Sequence, residues 1–412
     1  MHELLARKDL GSDTWWQELA EQGTPLVGPA QAGQHAVTFV WRDPRGSAAT
    51  SPTRRVWINI TGLTDHHRQC PPQSLARVDG TDLWLWQTRI DANWRGSYSF
   101  MPSDEDRDYD GFDAQGNLDL NALRPWWRAT FPLAEHDPLN RTRPWTGGRG
   151  LGVSALHMPQ APAHPAWAAV DSGLAAAATL QCHTWDSARL GNSRRVWLFS
   201  TGRDQDPGRP LAVLLDGAFW TGALPLAAPL QTLTDAGQLP GAVYLFVDSI
   251  DTAHRSRELA CNPEFWLALQ DELLPQVAQW QAHSTAAATT VVAGQSFGGL
   301  ASLYAGLQWP QRFGCVLAQS GSFWWPRGEP EQQLPQRVAA GLGHGQALKL
   351  FMEAGLREPV IHAANDHMVE ALRAAGHHPQ YRVVNGGHDA LCWRQGLLDG
   401  LGALWADLLP AA

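Results

Sequence analysis

The run Gly294-Gln295-Ser296-Phe297-Gly298-Gly299 holds the residues best suited to chemistry in this chain. It follows the apolar, strand-forming stretch Thr289–Ala293 and precedes a helix-forming stretch that opens near Leu300. A serine in that context stands on a sharp strand-to-helix turn, its hydroxyl clear of the backbone. The helix N-terminus behind it favours developing negative charge. A serine hydroxyl needs a base to act as a nucleophile, and in this chain order the base is expected after the last strand. Gly386-Gly387-His388-Asp389 lies there, directly after Tyr381–Val384, so His388 is the candidate. His362, His367, His377 and His378 fall on or near a helix and read as surface residues, and His254 reads as a loop residue. The acid that orients the base is expected in the loop after the preceding strand, Leu348–Ala354, where Glu358 stands. Glu353 inside that strand and Asp366 on the next helix remain alternatives, whereas Asp389 is too close along the chain to orient its own neighbour. Two backbone N–H groups must meet the oxyanion. Phe297, next after the serine, offers one, and Ala218, in Leu214-Leu215-Asp216-Gly217-Ala218-Phe219-Trp220, the other.

These residues need a frame. Ser12 offers an N-cap for a short helix over Trp15–Ala20 that Gly23 stops. Period-two alternation follows at Val37/Phe39/Trp41, Val56/Ile58/Ile60, 83–88 and 98–101, which predicts short strands of an antiparallel sandwich. Pro-rich sequence with Gly147-Gly148-Arg149-Gly150 at its middle then reads as a linker. Beyond about residue 175, apolar strand-like runs appear near 196, 211, 243, 289, 315, 348 and 381. Helical patterns at 258–280, 297–309, 362–376 and 392–408 fall between the later ones. Strands alternating with helices predict a mostly parallel sheet with helices on both faces. The expected organisation is therefore α/β: a β-sandwich with a leading helix over 1–131, a linker over 132–174 and the catalytic α/β domain over 175–412.

Composition narrows the class. Over 412 residues, 44% hydrophobic and 17% charged content supports large cores rather than disorder. A net charge of −9 argues against nucleic acid, and no apolar run reaches the roughly eighteen residues of a membrane span. The opening Met1–Asp9 carries an early acid and no apolar segment, so a cytoplasmic address is the expectation. Five dispersed cysteines without a C-x-x-C pair predict neither a disulfide framework nor a zinc site. Of 31 basic residues only Lys8 and Lys349 are lysines, and there are 21 tryptophans. The chain thus favours planar cations and flat aromatic surfaces.

Several runs together resemble the enterochelin (enterobactin) esterases, part of the esterase D-like branch of α/β hydrolases. They are Leu215–Trp220, Arg257–Pro263 with Phe265 and Glu272–Pro275, the elbow Gly294–Gly299, Gln319–Trp325 and Gly386–Arg394. In the N-terminal part, Trp57–Leu63 and Asp137–Asn140 extend the likeness over nearly the whole chain. The resemblance implies an α/β-hydrolase fold and hydrolysis of a ferric tri-catecholate trilactone in the cytoplasm. Ser296 and His388 fall on the family's catalytic serine and histidine. Iron enters only as part of the substrate, with no resident metal or other cofactor and no nucleic-acid or membrane partner. A trianionic iron–catecholate suits arginine, which can stack and hydrogen-bond at once. Arg203, Arg255 and Arg257 are the expected cations, and Trp220, Trp324 and Trp325 the expected aromatic contacts. A feruloyl or other carbohydrate-ester hydrolase of the same branch is the alternative enzyme. An inactive Trp-rich ligand-binding protein is the alternative from another class.

Overall fold

The computed structural model describes residues 2–147, 152–176, 178–203 and 205–409. The chain divides into two compact units. The first comprises Met1–Ala163, Asp171–Gly173 and Asn385–Cys392; the second comprises His164–Val170, Leu174–Val384 and Trp393–Ala412.

In the first unit a short 3-10 turn, Glu3–Ala6, precedes the helix Asp13–Gln22, whose N-cap Ser12 accepts the Trp15 N–H through its side chain. The helix ends at Gly23, where φ reaches 80°. Among the described residues nine strands follow: β1 (Leu26–Gln31), β2 (Gln34–Arg42), β3 (Arg55–Ile60), β4 (Gln73–Ser74), β5 (Ala76–Arg77), β6 (Leu83–Asp91), β7 (Arg95–Ser103), β8 (Trp145–Thr146) and β9 (Gly152–His157). They form two antiparallel sheets, ordered β1-β2-β6-β5 and β4-β3-β7-β9-β8. The inward residues of both sheets meet in one core, with Phe39 and Trp84 from one and Ile58, Tyr98 and Phe100 from the other. That alternation is the one visible in the sequence. The segment expected as a linker contains β9, which pairs with β7 and so belongs to the sandwich. Its prolines flank the strand instead of filling it, and the residues 148–150 of its glycine run lie outside the described residues.

The second unit is built on one sheet of eight strands: β10 (Gln181–Ser187), β11 (Asn192–Ser200), β12 (Leu211–Leu214), β13 (Val243–Val247), β14 (Thr290–Gln295), β15 (Cys315–Gln319), β16 (Lys349–Gly355) and β17 (Gln380–Val384). Their order is β10-β11-β13-β12-β14-β15-β16-β17, antiparallel at the first two pairings and parallel from β13 onward. The central strands are buried along their whole length, as parallel strands covered on both faces must be. The helical stretch expected over 258–280 is interrupted. Pro263 starts one segment and a π-helical turn, Leu269–Leu273, precedes another that holds Pro275 near its start. The longer helices Phe297–Gln308, Pro359–Ala374 and Ala390–Leu404 match the expected spans closely. Among the described residues no helix is long and apolar enough to cross a membrane.

Candidate active site

Strand β14 delivers Ser296 at its carboxyl end. The residue adopts φ 59° and ψ −119°, a region that costs a non-glycine residue about 1–3 kcal/mol. The surroundings over-determine it. Its N–H donates to the Gln319 carbonyl at 3.0 Å, and its carbonyl accepts from Leu300 and Ser322 at 3.1 and 3.0 Å. Gly294 is required by close approach, since a Cβ there would lie 2.6 Å from the Gly298 carbonyl carbon. The side chain is half-buried and its Oγ lies 3.3 Å from the Ser322 Oγ.

A second loop is pinned beside β14. Asp216 also has a positive φ, 57°, and a Cβ on Gly217 would strike the backbone of Phe246 at 2.7 Å. Arg255 forks onto both Asp216 oxygens at 2.7 and 2.8 Å and donates to the Gln295 carbonyl at 3.1 Å. Ser249 Oγ donates to the same carboxylate at 2.6 Å. Burial pushes the Asp216 carboxyl up, but the Arg255 charge and these hydrogen bonds outweigh it and hold the group below the usual carboxylate range. Among the described residues, neither the Ala218 nor the Phe297 backbone N–H finds an acceptor.

The carboxylates separate by environment. Glu358, fully buried in the loop after β16, accepts from the Gly355 N–H at 2.7 Å and the Ser320 Oγ at 2.5 Å. Ser320 in turn accepts from the Trp393 indole at 2.8 Å. Glu353 accepts from Gln319 and Arg382 at 2.7 and 2.5 Å. Asp366 accepts from the Tyr381 hydroxyl at 2.7 Å.

His388 lies in the first unit. There its ring packs on the His67 ring at 4.5 Å between centroids, and His67 packs on His66 at 4.0 Å. Neighbouring Asp389 accepts from the Ser97 and Leu391 N–H groups. Asn385 donates to Asp91 and Asn93 at 3.1 and 2.7 Å. A Cβ on Gly387 would meet the Gly62 nitrogen at 2.7 Å, so this stretch approaches the sandwich backbone as only glycine can.

The expected substrate contacts divide. Trp220 is only 2% exposed and spends its indole N–H on Gln295 at 3.1 Å, so it offers no open face for a ligand, contrary to expectation. Arg255 differs in the same way: it is committed to Asp216 and Gln295 and is not an unpartnered cation. Arg203 and Arg257 are exposed, and Trp324 and Trp325 half-buried. Trp324 meets Phe297 edge-to-face at 6.1 Å and carries the Arg327 guanidinium over its ring at 5.3 Å. Arg327, His67 and Ser322 escape sequence reasoning. The only signals were the Trp324-Trp325-Pro326-Arg327 run and a His66-His67 pair among 16 histidines. Among the described residues no group of three His, Cys, Asp or Glu side chains is placed to hold a metal ion.

Comparison with known proteins adds independent findings. The family model described as "Enterochelin esterase, N-terminal" matches residues 36–167, and "Putative esterase" matches residues 187–404. The chain is 50% identical over 401 residues to an iron(III) enterobactin esterase of Escherichia coli O6:H1 (strain CFT073), spanning 97% of this chain and 98% of that one. It superposes on the crystal structure of the ferric enterobactin esterase from Salmonella typhimurium with a TM-score of 0.89 and 49% identity, covering 96% and 99% of the two chains. The Shigella flexneri enterobactin esterase, crystallised in the presence of enterobactin, gives 0.85 at 48% identity over 97% and 100%. An esterase domain behind a matching N-terminal domain, related over nearly its full length, places the chain in the enterochelin (enterobactin) esterase family.

Proposed function

We propose that this chain hydrolyses the lactone bonds of a ferric tri-catecholate siderophore of the enterobactin type. The observation that carries this reading is 50% identity, over nearly the full length, to an iron(III) enterobactin esterase. The elbow geometry at Ser296 supports it. In this reading Ser296 Oγ attacks a lactone carbonyl, forming the new C–O bond as His388 takes the hydroxyl proton. The Phe297 and Ala218 N–H groups receive the oxyanion. Collapse expels the substrate's seryl oxygen, which takes the proton back from His388. Water then repeats the sequence on the acyl-enzyme, releasing a carboxylic acid and regenerating Ser296. Glu358 orients His388 and stabilises its imidazolium, and His67 packs on the same ring. Iron arrives as the substrate's cargo. Each cut unlinks catecholate arms and so weakens the chelate in the cytoplasm, where the iron is wanted. Trp324 and Trp325, with Arg203, Arg257 and Arg327, supply flat and cationic contacts for the catecholates.

Mass analysis of products from the iron-loaded and iron-free cyclic tri-catecholate tests this. A gain of one water per cut ester is expected. Ser296→Ala should lose at least about a thousandfold in kcat while keeping the wild-type melting temperature. Near-wild-type turnover by that variant would remove Ser296 from the reaction.

A further inference from the structure

Four neighbouring strands carry polar residues side by side that have no packing reason to be polar: Gln295 and Gln319 end β14 and β15, and Glu353 and Arg382 stand beside them on β16 and β17. Gln295 on β14 stands in register with Gln319 on β15, Gln319 with Glu353 on β16, and Glu353 with Arg382 on β17. Register partners on adjacent strands point to the same face, and here the side chains join head to tail. The Trp220 indole donates to Gln295 Oε1 at 3.1 Å, and Gln295 Nε2 donates to Gln319 Oε1 at 2.9 Å. Gln319 Nε2 donates to Glu353 Oε1 at 2.7 Å, and Arg382 Nε to Glu353 Oε2 at 2.5 Å. Arg382 continues outward to Asp399 at 2.8 Å. Gln295, Gln319 and Glu353 are at most 3% exposed.

The main chains of the same residues hold the candidate site. The Gln319 carbonyl accepts the Ser296 N–H, and the Glu353 carbonyl accepts the Ser320 N–H at 2.7 Å. Ser320 then holds Glu358. The last helix lies directly over the row. Gln319 Nε2 also donates to the Trp393 carbonyl at 2.9 Å, and a Cβ on Gly396 would fall 2.2 Å from Glu353 Oε1. Burying a carboxylate and two amides costs stability that an apolar row would not, so the return must lie in orientation. Burial indeed pushes the Glu353 carboxyl above its usual range against the pull of Arg382.

We infer that the row Trp220–Gln295–Gln319–Glu353–Arg382 positions the nucleophile turn, with Glu353 as its anchor. These are positioning residues, acting through Ser296 and Ser320. The inference rests on the reading of Ser296 as nucleophile.

The test uses the full chain and two readouts: the rate of Ser296 phosphonylation by a fluorophosphonate probe, and kcat and KM on a neutral activated ester. Glu353→Gln and Gln319→Leu should each slow labelling and kcat by about tenfold or more, as small misplacements of reacting groups do. KM should change less than about twofold and the circular dichroism spectrum should stay native. The exchanged pair Glu353→Gln with Gln319→Glu keeps a donor and an acceptor facing each other between the two strands. It should recover a large part of the loss. Wild-type labelling in folded single variants would overturn the inference. So would a loss that tracks only the unfolded fraction, or an exchanged pair no better than either single variant. A wild-type protein that does not label at Ser296 would instead overturn the nucleophile reading on which the inference stands.

Discussion

At the scale of single residues, the three carboxylates near the end of β16 illustrate how environment sorts chemically equal groups. Glu358 faces the Ser320 hydroxyl, from the loop that also carries Ser322, and the backbone N–H of Gly355 at the end of β16. Glu353 is tied into the strand row, and Asp366 serves the Tyr381 hydroxyl. Asp366→Asn should therefore leave kcat within about twofold, whereas Glu358→Gln should lower it at least tenfold, less than loss of Ser296, because the triad's acid contributes least alone. Steady-state kinetics on a neutral ester decides between them. A dead Asp366→Asn beside an active Glu358→Gln would transfer the role. The turn that carries Ser296 was legible because a short motif sits between a recognisable strand and helix. The sorting of Glu353 from Glu358 was not. It depends on strand register with Gln319 and Arg382, and register has no local signature in the sequence.

At the scale of elements, the loop after β12 shows a cation whose type was legible and whose duty was not. Arg255 reads as a basic residue near the catalytic end of the sheet, but its partner Asp216 precedes it by 39 positions. A forked guanidinium that also holds the Gln295 carbonyl is a fixture of the elbow. Arg255→Lys keeps the charge and loses the fork, so it should lower kcat on a neutral ester and on the ferric siderophore by the same factor. Arg327 is exposed and rides over Trp324. Arg327→Ala should raise KM for the ferric siderophore about tenfold and leave the neutral ester unchanged. Paired kinetics on the two substrates measure this. A siderophore-specific loss in Arg255→Lys, or equal losses in Arg327→Ala, would reverse the two roles. The edge strand β10 escaped the sequence for a related reason. Its burial runs mostly exposed, so it lacks the apolar run that betrayed its buried neighbours.

At the scale of the whole molecule, charge and burial pull stability in opposite directions as pH falls. The net charge of −9 shrinks on acidification, which relieves self-repulsion, but that long-range effect is screened over about 8 Å at physiological salt. Two buried histidines act locally and are not screened in this way. His283 and His377 are 7% and 4% exposed, and the Nε2 of each is buried without a hydrogen-bond partner. Desolvation lowers both from the ordinary value of 6.5, for His283 against a hydrogen bond between its Nδ1 and the Gln281 carbonyl. A histidine with a depressed pKa in the folded state binds its proton later than in the unfolded chain. Its stabilising contribution is therefore complete above about pH 6.5 and is lost as pH falls from there through the folded value. The melting temperature, measured at constant salt, should fall as pH drops from 7.5 toward 5.5. His377→Asn, which cannot titrate, should flatten that slope even if it lowers the melting temperature at pH 7.5. A melting temperature that rises on acidification would mean that relief of the net negative charge outweighs the cost of protonating these two rings, and an unchanged slope in His377→Asn would remove His377 as a source of the slope.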